Sequence, residues 1–317
     1  MIRFVLRRLL IFPIAILLAN FIGFAFAFSV APIVLSSNPY SRGQIGLPPI
    51  FPEYGQYLQA VLRGDFGTTY TGESVPSVIL HFGPASLGLI GIALILSIVI
   101  GVSLGRLAVR QGRPGVAPWL TVMSTVGLAS PSFYIAVLLI VLFLMVYLYT
   151  DLGRVIPFQG FGWDAHLILP TLALMIQPTV KIAQVTGGLL SEELERQYVT
   201  AALSFGHSFR RIKRRLAFRS ILASVSLTVA ASLRLMVAEL IIIERLFNWP
   251  GVGRLIASAL TPGTRASEFL APPMVAALLA VLVAVFLLSD FCAMLLARLI
   301  DPRLSVEVEI EGKGGEA

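Results

Sequence analysis

Charge is scarce in this 317-residue chain: Asp, Glu, Lys and Arg make up only 13% of it, about half the share of an ordinary soluble domain. Cysteine is scarcer still. Cys292 is alone and sits in an apolar stretch, which excludes an intrachain disulfide and suggests neither a metal cluster nor a redox centre. The three histidines, His81, His166 and His207, lie far apart and offer no two-residue ligand spacing, so no metal is assigned. Gly-x-Ser-x-Gly, His-Glu-x-x-His and paired in-membrane carboxylates are missing, as is a Gly-x-x-x-x-Gly-Lys-Ser/Thr nucleotide loop. The expectation is a non-enzyme with no catalytic residue and no cofactor of its own, unable to hydrolyse ATP itself.

Apolar residues are abundant instead, at 57% of the chain, with a mean hydropathy of +0.87. Few soluble folds hide that much apolar surface, and a disordered chain, a coiled coil or a disulfide-stapled secreted domain is equally excluded. The class is an all-α polytopic membrane protein. Leu9 to Ala31, Phe82 to Gly105 and Pro114 to Thr150 contain no charged residue, and each exceeds the roughly 20 residues needed to cross a bilayer. The third is longer than one span, which places Pro114 to Pro118 in the preceding loop and a tilt or kink at Pro131 within Ser130-Pro-Ser-Phe133. Three weaker spans follow: His166 to Leu190 with Lys181, Ser220 to Ile243 with Arg234 and Glu239, and Phe269 to Ala297 with Asp290. Six transmembrane helices result. The first follows a basic start that mimics a signal peptide, but its apolar run is longer than a cleaved segment's typical 7 to 15 residues.

Placing the N-terminus inside puts 16 Lys and Arg on the cytoplasmic side against 6 outside, so both termini are expected in the cytoplasm. The net charge of +7 then reflects topology and not nucleic-acid binding, because most basic residues flank spans. Residues 32–81 form a long external loop with turn-rich Ser36-Ser-Asn-Pro39 and Leu47-Pro-Pro-Ile50. Phe51, Tyr54, Tyr57, Phe66 and Tyr70 offer it apolar anchors, which suit an ordered lid or a docking loop as well as a passive linker.

The densest charge lies in the cytoplasmic connection Ser191 to Arg219. Glu192, Glu193 and Glu195 begin it; Arg210, Arg211, Lys213, Arg214, Arg215 and Arg219 end it; small Thr200, Ala201 and Ala202 lie between. Ala202 and Gly206 are four apart, so on a helix they would share a face that another protein could approach closely. Gly206 also permits a turn. The basic stretch runs directly into the fifth span, and the same arginines also suit contact with anionic membrane lipid.

Gln197-Tyr-Val-Thr-Ala-Ala-Leu-Ser-Phe-Gly206, followed by Arg210-Arg-Ile-Lys-Arg-Arg-Leu-Ala-Phe-Arg219, resembles the EAA loop of binding-protein-dependent ABC importer permeases. The rest of the chain resembles the first-permease type of the dipeptide/oligopeptide/nickel branch. The carrying segments, in order, are Arg3-Phe-Val-Leu-Arg-Arg-Leu-Leu10, Gly64-Asp-Phe-Gly-Thr68, Ser130-Pro-Ser-Phe133, His166-Leu-Ile-Leu-Pro170, Glu244-Arg-Leu-Phe-Asn-Trp-Pro-Gly-Val-Gly253 and Asp301-Pro-Arg303. Thr200 stands where the general motif has a Glu, and Ser224 stands near where a Pro ends it.

The resemblance implies a type I ABC importer permease fold in the inner (plasma) membrane. It would comprise an N-terminal transmembrane helix (1–31), the external loop (32–81), a permease core of five spans (82–303) with coupling loop 191–219, and a cytoplasmic tail (304–317). It implies as partners a second permease subunit, two ATP-binding subunits that hydrolyse ATP, and an external solute-binding protein. Thr200, Ala201, Ala202 and Gly206, with Arg210 and Arg211, would couple to the ATPase. Di- or oligopeptides are the implied cargo, with nickel chelates or oligosaccharides as alternatives; an ion-driven secondary transporter is a more distant rival. Lys181, Glu239, Glu244, Trp249, Pro250 and Gly251 are candidates for the pathway or a gate. Glu239 is expected either to meet Lys181 across two helices or to face the path, and Pro250-Gly251 to turn the chain after an interfacial Trp249.

Overall fold

The computed structural model describes residues 2–35, 49–111, 115–150, 156–261 and 270–300. The Ser36 to Pro39 turn, the Asp301-Pro-Arg303 motif and the tail 304–317 lie outside the described residues. In chain order the helices are α1 (Ile2–Leu35), α2 (Ile50–Leu62), α3 (Val75–Ala108), α4 (Pro118–Ala129), α5 (Ser132–Tyr149) and α6 (Ile168–Leu194). Then come α7 (Gln197–Ser204), α8 (Phe209–Arg211), a π-helical turn (Ile212–Ala217), α9 (Phe218–Ser220), α10 (Leu222–Leu246), α11 (Val252–Leu260) and α12 (Pro272–Ile300). Among the described residues, six helices are long and apolar enough to cross a membrane: α1, α3, α5, α6, α10 and α12. Six spans were expected; α1 and α3 overrun their uncharged runs at both ends, α5 lies within its run, and α6, α10 and α12 begin two or three residues later and end three or four residues later than expected.

The third apolar run departs from expectation. It is two helices, not one kinked helix: α4 stops at Ala129, and Pro131, in extended conformation at φ −62° and ψ 149°, caps α5. Proline lacks the N–H that would continue α4 and disfavours helical geometry in the residue before it, here Ser130. Its own position just ahead of the first turn of α5 costs nothing, because that turn's donors have no partner within the helix.

The chain divides into two compact units. One comprises residues 1–88, 159–163 and 240–287. Its core gathers Val75 and Val78 of α3, Leu255 and Ile256 of α11, and Met274 and Leu278 of α12. On α1, Gly23 lets the helix backbone come close to α12, where a Cβ would lie 2.7 Å from the Val275 carbonyl oxygen and 2.9 Å from Ala276 Cα. The connection between α1 and α3 carries α2. Phe24 of α1 packs against the rings of Tyr54 and Tyr57, at 5.3 and 5.1 Å between centroids. Tyr54 donates to Asn20 Oδ1 at 3.1 Å, and Asn20 Nδ2 donates to the Tyr57 hydroxyl at 3.2 Å, which satisfies a polar side chain inside a span. Burial pushes both tyrosine hydroxyls up from their ordinary range. Of the five expected aromatic anchors only these two are buried; Phe51, Phe66 and Tyr70 are exposed.

The second unit comprises residues 89–158, 164–239 and 288–317, and α6 is its axis. Gly101 and Gly105 of α3 face α6, where an added Cβ at Gly105 would stand 2.6 Å from the Ala183 carbonyl and 2.7 Å from Thr186 Cβ. Gly127 of α4 meets Val180 in the same way, at 2.8 Å. Lipid tails are as apolar as leucine, so close van der Waals packing replaces hydrophobic collapse as the force between spans, and glycine makes that approach possible. Gly105→Ala is expected to destabilise the purified protein by about 1 to 3 kcal/mol through overpacking. Gly91→Ala, where a Cβ meets open space, should be near neutral in the same thermal unfolding assay in detergent.

Candidate functional site

The Glu244 to Gly253 segment builds a closed polar clasp in the first unit. Glu244, in the last turn of α10, has no exposed surface. Its Oε1 accepts from Ser86 Oγ at 2.6 Å and its Oε2 from the Arg254 backbone N–H at 3.0 Å. The Ser86 oxygen in turn accepts from the Val252 N–H at 2.8 Å. Glu244 and Ser86 thereby cap the start of α11, whose own preceding residue, Gly251, has no side chain to do so.

The chain must turn back on itself for this. Asn248 takes a left-handed φ of 55°, the Trp249 N–H returns to the Glu244 carbonyl at 2.8 Å, and a Cβ on Gly251 would run into the Glu244 carboxylate. Gly253 is hemmed in too, with its Cβ position 2.8 Å from Ile241 Cα. Trp249 is not at an interface, as its sequence position suggested. It is completely buried, donates Nε1–H to the Ala85 carbonyl at 3.0 Å, and packs edge-on to Phe161 and Trp163 at 4.8 and 5.8 Å. Half-exposed Phe161 and Trp163 were not foreseen, nor was Ser86, which has no motif to announce it.

In the second unit the connection between α6 and α10 is an exposed helix-turn. The helix α7 is eight residues long and ends before Gly206, whose φ of +83° closes it. Ala202 and Gly206 therefore do not share a helix face: the His207 N–H bonds back to the Ala202 carbonyl at 3.1 Å, and Gly206 lies in the turn. Thr200, Ala201 and Leu203 are exposed, and Phe205 is 83% exposed.

Both ends of the segment are tied down. Buried Glu193 pairs with Arg196 Nε at 3.0 Å and accepts from the Tyr198 hydroxyl at 3.0 Å; burial, then the carboxylate, raises the Tyr198 hydroxyl above its ordinary range. Beyond the turn, Lys213 projects from the π-helical segment and donates to the Arg106 and Val109 carbonyls at the end of α3, both at 2.5 Å. These are carbonyls that the helix end leaves without internal donors. Burial pushes the Lys213 ammonium down, and the neighbouring Arg106 charge adds to this. Arg106 itself lies over the Phe218 ring at 4.8 Å. Arg210, Arg211, Arg214, Arg215 and Arg219 remain exposed. The path into α10 is not one regular rod, since it passes through the π turn and a further turn at Ile221.

The intramembrane charges do not pair as Lys181 with Glu239. Glu239 instead faces the side chain and backbone of Ser132, at the start of α5, and its Oε2 is buried without a hydrogen-bond partner. Lys181 is exposed and has no ion pair among the described residues. Arg234 pairs with Asp290 of α12; an acid and a base in two spans were the available signal for that bridge.

Such a chain, with six apolar spans and an exposed helix-turn held against the ends of two of them, belongs to the class of polytopic transport subunits. Residues 97–306 match the binding-protein-dependent transport system inner membrane component family, and the chain belongs to that family. It is a non-catalytic, multi-pass inner-membrane permease subunit. It is 27% identical over 273 residues to a probable peptide ABC transporter permease protein of Sinorhizobium fredii, covering 83% of each chain. It is 26% identical over 315 residues to a dipeptide transport system permease protein of Lactococcus lactis, covering 96% of this chain and 99% of that one. An oligopeptide transport system permease protein of Escherichia coli is 27% identical over 216 residues, 66% of this chain and 68% of its own.

Glu244→Ala should lower the unfolding midpoint strongly, because it strands the Ser86 hydroxyl and the Arg254 N–H in the core, at about 1 to 3 kcal/mol for each orphaned group. Gly251→Ala should do the same by steric conflict. Thermal unfolding in detergent checks both.

Proposed function

We propose that this subunit forms half of the passage of an ATP-driven importer of di- or oligopeptides. A second permease subunit completes the passage, two ATP-binding subunits sit against its cytoplasmic face, and an external solute-binding protein delivers the peptide. The names of the relatives support the peptide cargo. The excess of basic residues at the loops assigned to the inside supports cytoplasmic termini. The organisation is an added first span (1–31), an external segment (32–81) carrying α2, a five-span core (82–303) and a cytoplasmic tail.

The observation that carries the proposal is the form of residues 197–208: a short helix with small residues on its exposed side, capped by an outward Phe205, on a segment bolted at both ends. An apolar ring with so little contact of its own is a natural knob for a cleft in a partner. Thr200, Ala201, Ala202 and the Gly206 turn would seat there, with Arg210 and Arg211 at the rim. Nucleotide-driven closure of the ATPases would pull on the segment and, through the Lys213 clamp and the run into α10, on two spans together. The clasp at Glu244, Trp249, Pro250 and Gly251 would hold a rigid rim for the binding protein.

The test is a single thiol. With Ala202→Cys in a Cys292→Ser background, oxidation of the working complex should join this subunit to an ATP-binding subunit that carries a matching cysteine in its cleft. No bridge to any ATP-binding chain in an active complex would overturn the proposal. Phe205→Asp should reduce binding-protein-stimulated ATP hydrolysis by about tenfold, the loss of roughly 1.4 kcal/mol of docking, with membrane insertion unchanged.

A further inference from the structure

The helix α6 is the most enclosed of the six spans, with 61% of its most apolar window buried, yet its one open face is polar. Gln177, Lys181, Gln184 and Gly188 follow one another at spacings of four, three and four, so they form a single stripe along the helix. Lys181 and Gln184 are exposed, and a Cβ at Gly188 would meet nothing within 4 Å. Gln177 spends its amide N–H on the Leu128 carbonyl at 3.5 Å, which leaves its Oε1 without a partner. Neither Lys181 nor Gln184 makes a hydrogen bond or ion pair among the described residues.

A lipid-facing stripe of this composition is unfavourable. Lys181 stands at the midpoint of the 27-residue helix, about 20 Å from either end at about 1.5 Å per residue. A lysine stem is far too short to carry its ammonium from there to a headgroup. Exposure to hydrocarbon at that depth costs about 2.5 to 3.5 kcal/mol even on the most lenient scale, and ionisable groups so placed face water or a bundle interior. The buried side of the same helix carries only short polar side chains, Thr171, Thr179, Thr186 and Ser191, before Glu193 at its end, so the long polar side chains within the span, Lys181 and Gln184, stand where contact within the chain is lacking.

We infer that this stripe lines the water-filled passage and that the Lys181 ammonium is a transient binding point for the carboxylate of the transported solute. The inference rests on the importer reading and adds to it the chemistry of the contact: a strongly hydrated cation with three donors, flanked by amides one turn away at Gln177 and Gln184, suits an anionic group carried by a zwitterionic substrate. Among the described residues no carboxylate pairs with Lys181. Glu239 is engaged with Ser132, and Asp290 with Arg234.

The experiment uses the complete transporter in proteoliposomes, with alanyl-alanine and its C-terminal amide as paired probes. The ratio of variant to wild-type uptake is taken for each probe, which cancels any preference of the binding protein. Lys181→Met should cut uptake of the free acid by about tenfold, the scale of one charge-assisted hydrogen bond, and leave uptake of the amide within about twofold; Lys181→Arg should restore the free acid. Equal loss for both probes, or no loss for either, overturns the inference.

A second measurement does not depend on a folded Met variant or on transport. In a Cys292→Ser background, Lys181→Cys and Gln184→Cys should react with a membrane-impermeant thiol reagent during ATP turnover, and Ile182→Cys, buried on the opposite face, should not. Protection of both stripe positions from the reagent also overturns the inference. Wild-type complex that takes up neither probe refutes the peptide reading instead, while thiol labelling still reports on the stripe.

Discussion

A carboxylate with no access to solvent has to be answered by donors, and in this protein that requirement organises the end of α10 and everything that follows it. Glu244 is answered by one hydroxyl and the start of a helix, so Ser86, Gly251, Gly253 and the left-handed Asn248 are all consequences of placing that one acid in the core. The buried indole of Trp249 then fills the space beside the turn and spends its only donor on Ala85. The carboxylate of Glu244, with no exposed surface, serves the shape of this turn.

Donors and acceptors are also matched at the charged groups that flank the exposed helix-turn of the second unit. Lys213 answers carbonyls that the end of α3 leaves open, and Glu193 is answered by Arg196 and Tyr198. Glu239, five residues earlier on the same helix, is met only in part: it faces Ser132 at the start of α5, and its Oε2 is buried without a partner. Polar groups in this chain are therefore mostly fixtures. The stripe on α6 differs because Lys181 and Gln184 are exposed and make no hydrogen bond or ion pair among the described residues.

Much of this was legible in the order of residues. Hydrophobic runs report span number because a bilayer demands about 20 apolar residues whatever the fold, and the glycine at 206 reported a turn because few other residues adopt φ of +83°. Helix ends were less legible, since α3 and α10 begin or end among charged and polar residues that packing, not hydropathy, makes helical. The Pro131 break was misread as a bend because proline alone does not reveal whether α4 resumes its hydrogen bonds beyond it. Side-chain partners were least legible: Glu244 with Ser86 lies 158 residues apart in sequence, and no local spacing encodes such a pairing. Lys213 was hidden in a run of arginines that looked uniform.

The close approach of Gly23 to Val275 and Ala276 joins the first span made to the last. At about 5 to 20 residues per second, a ribosome needs roughly 12 to 50 s to travel from one to the other. For that interval the newborn α1 waits in the bilayer with a notch in its side that only α12 fills. The packing of α1 is therefore incomplete until α12 has been synthesised, which makes this contact one of very long sequence separation.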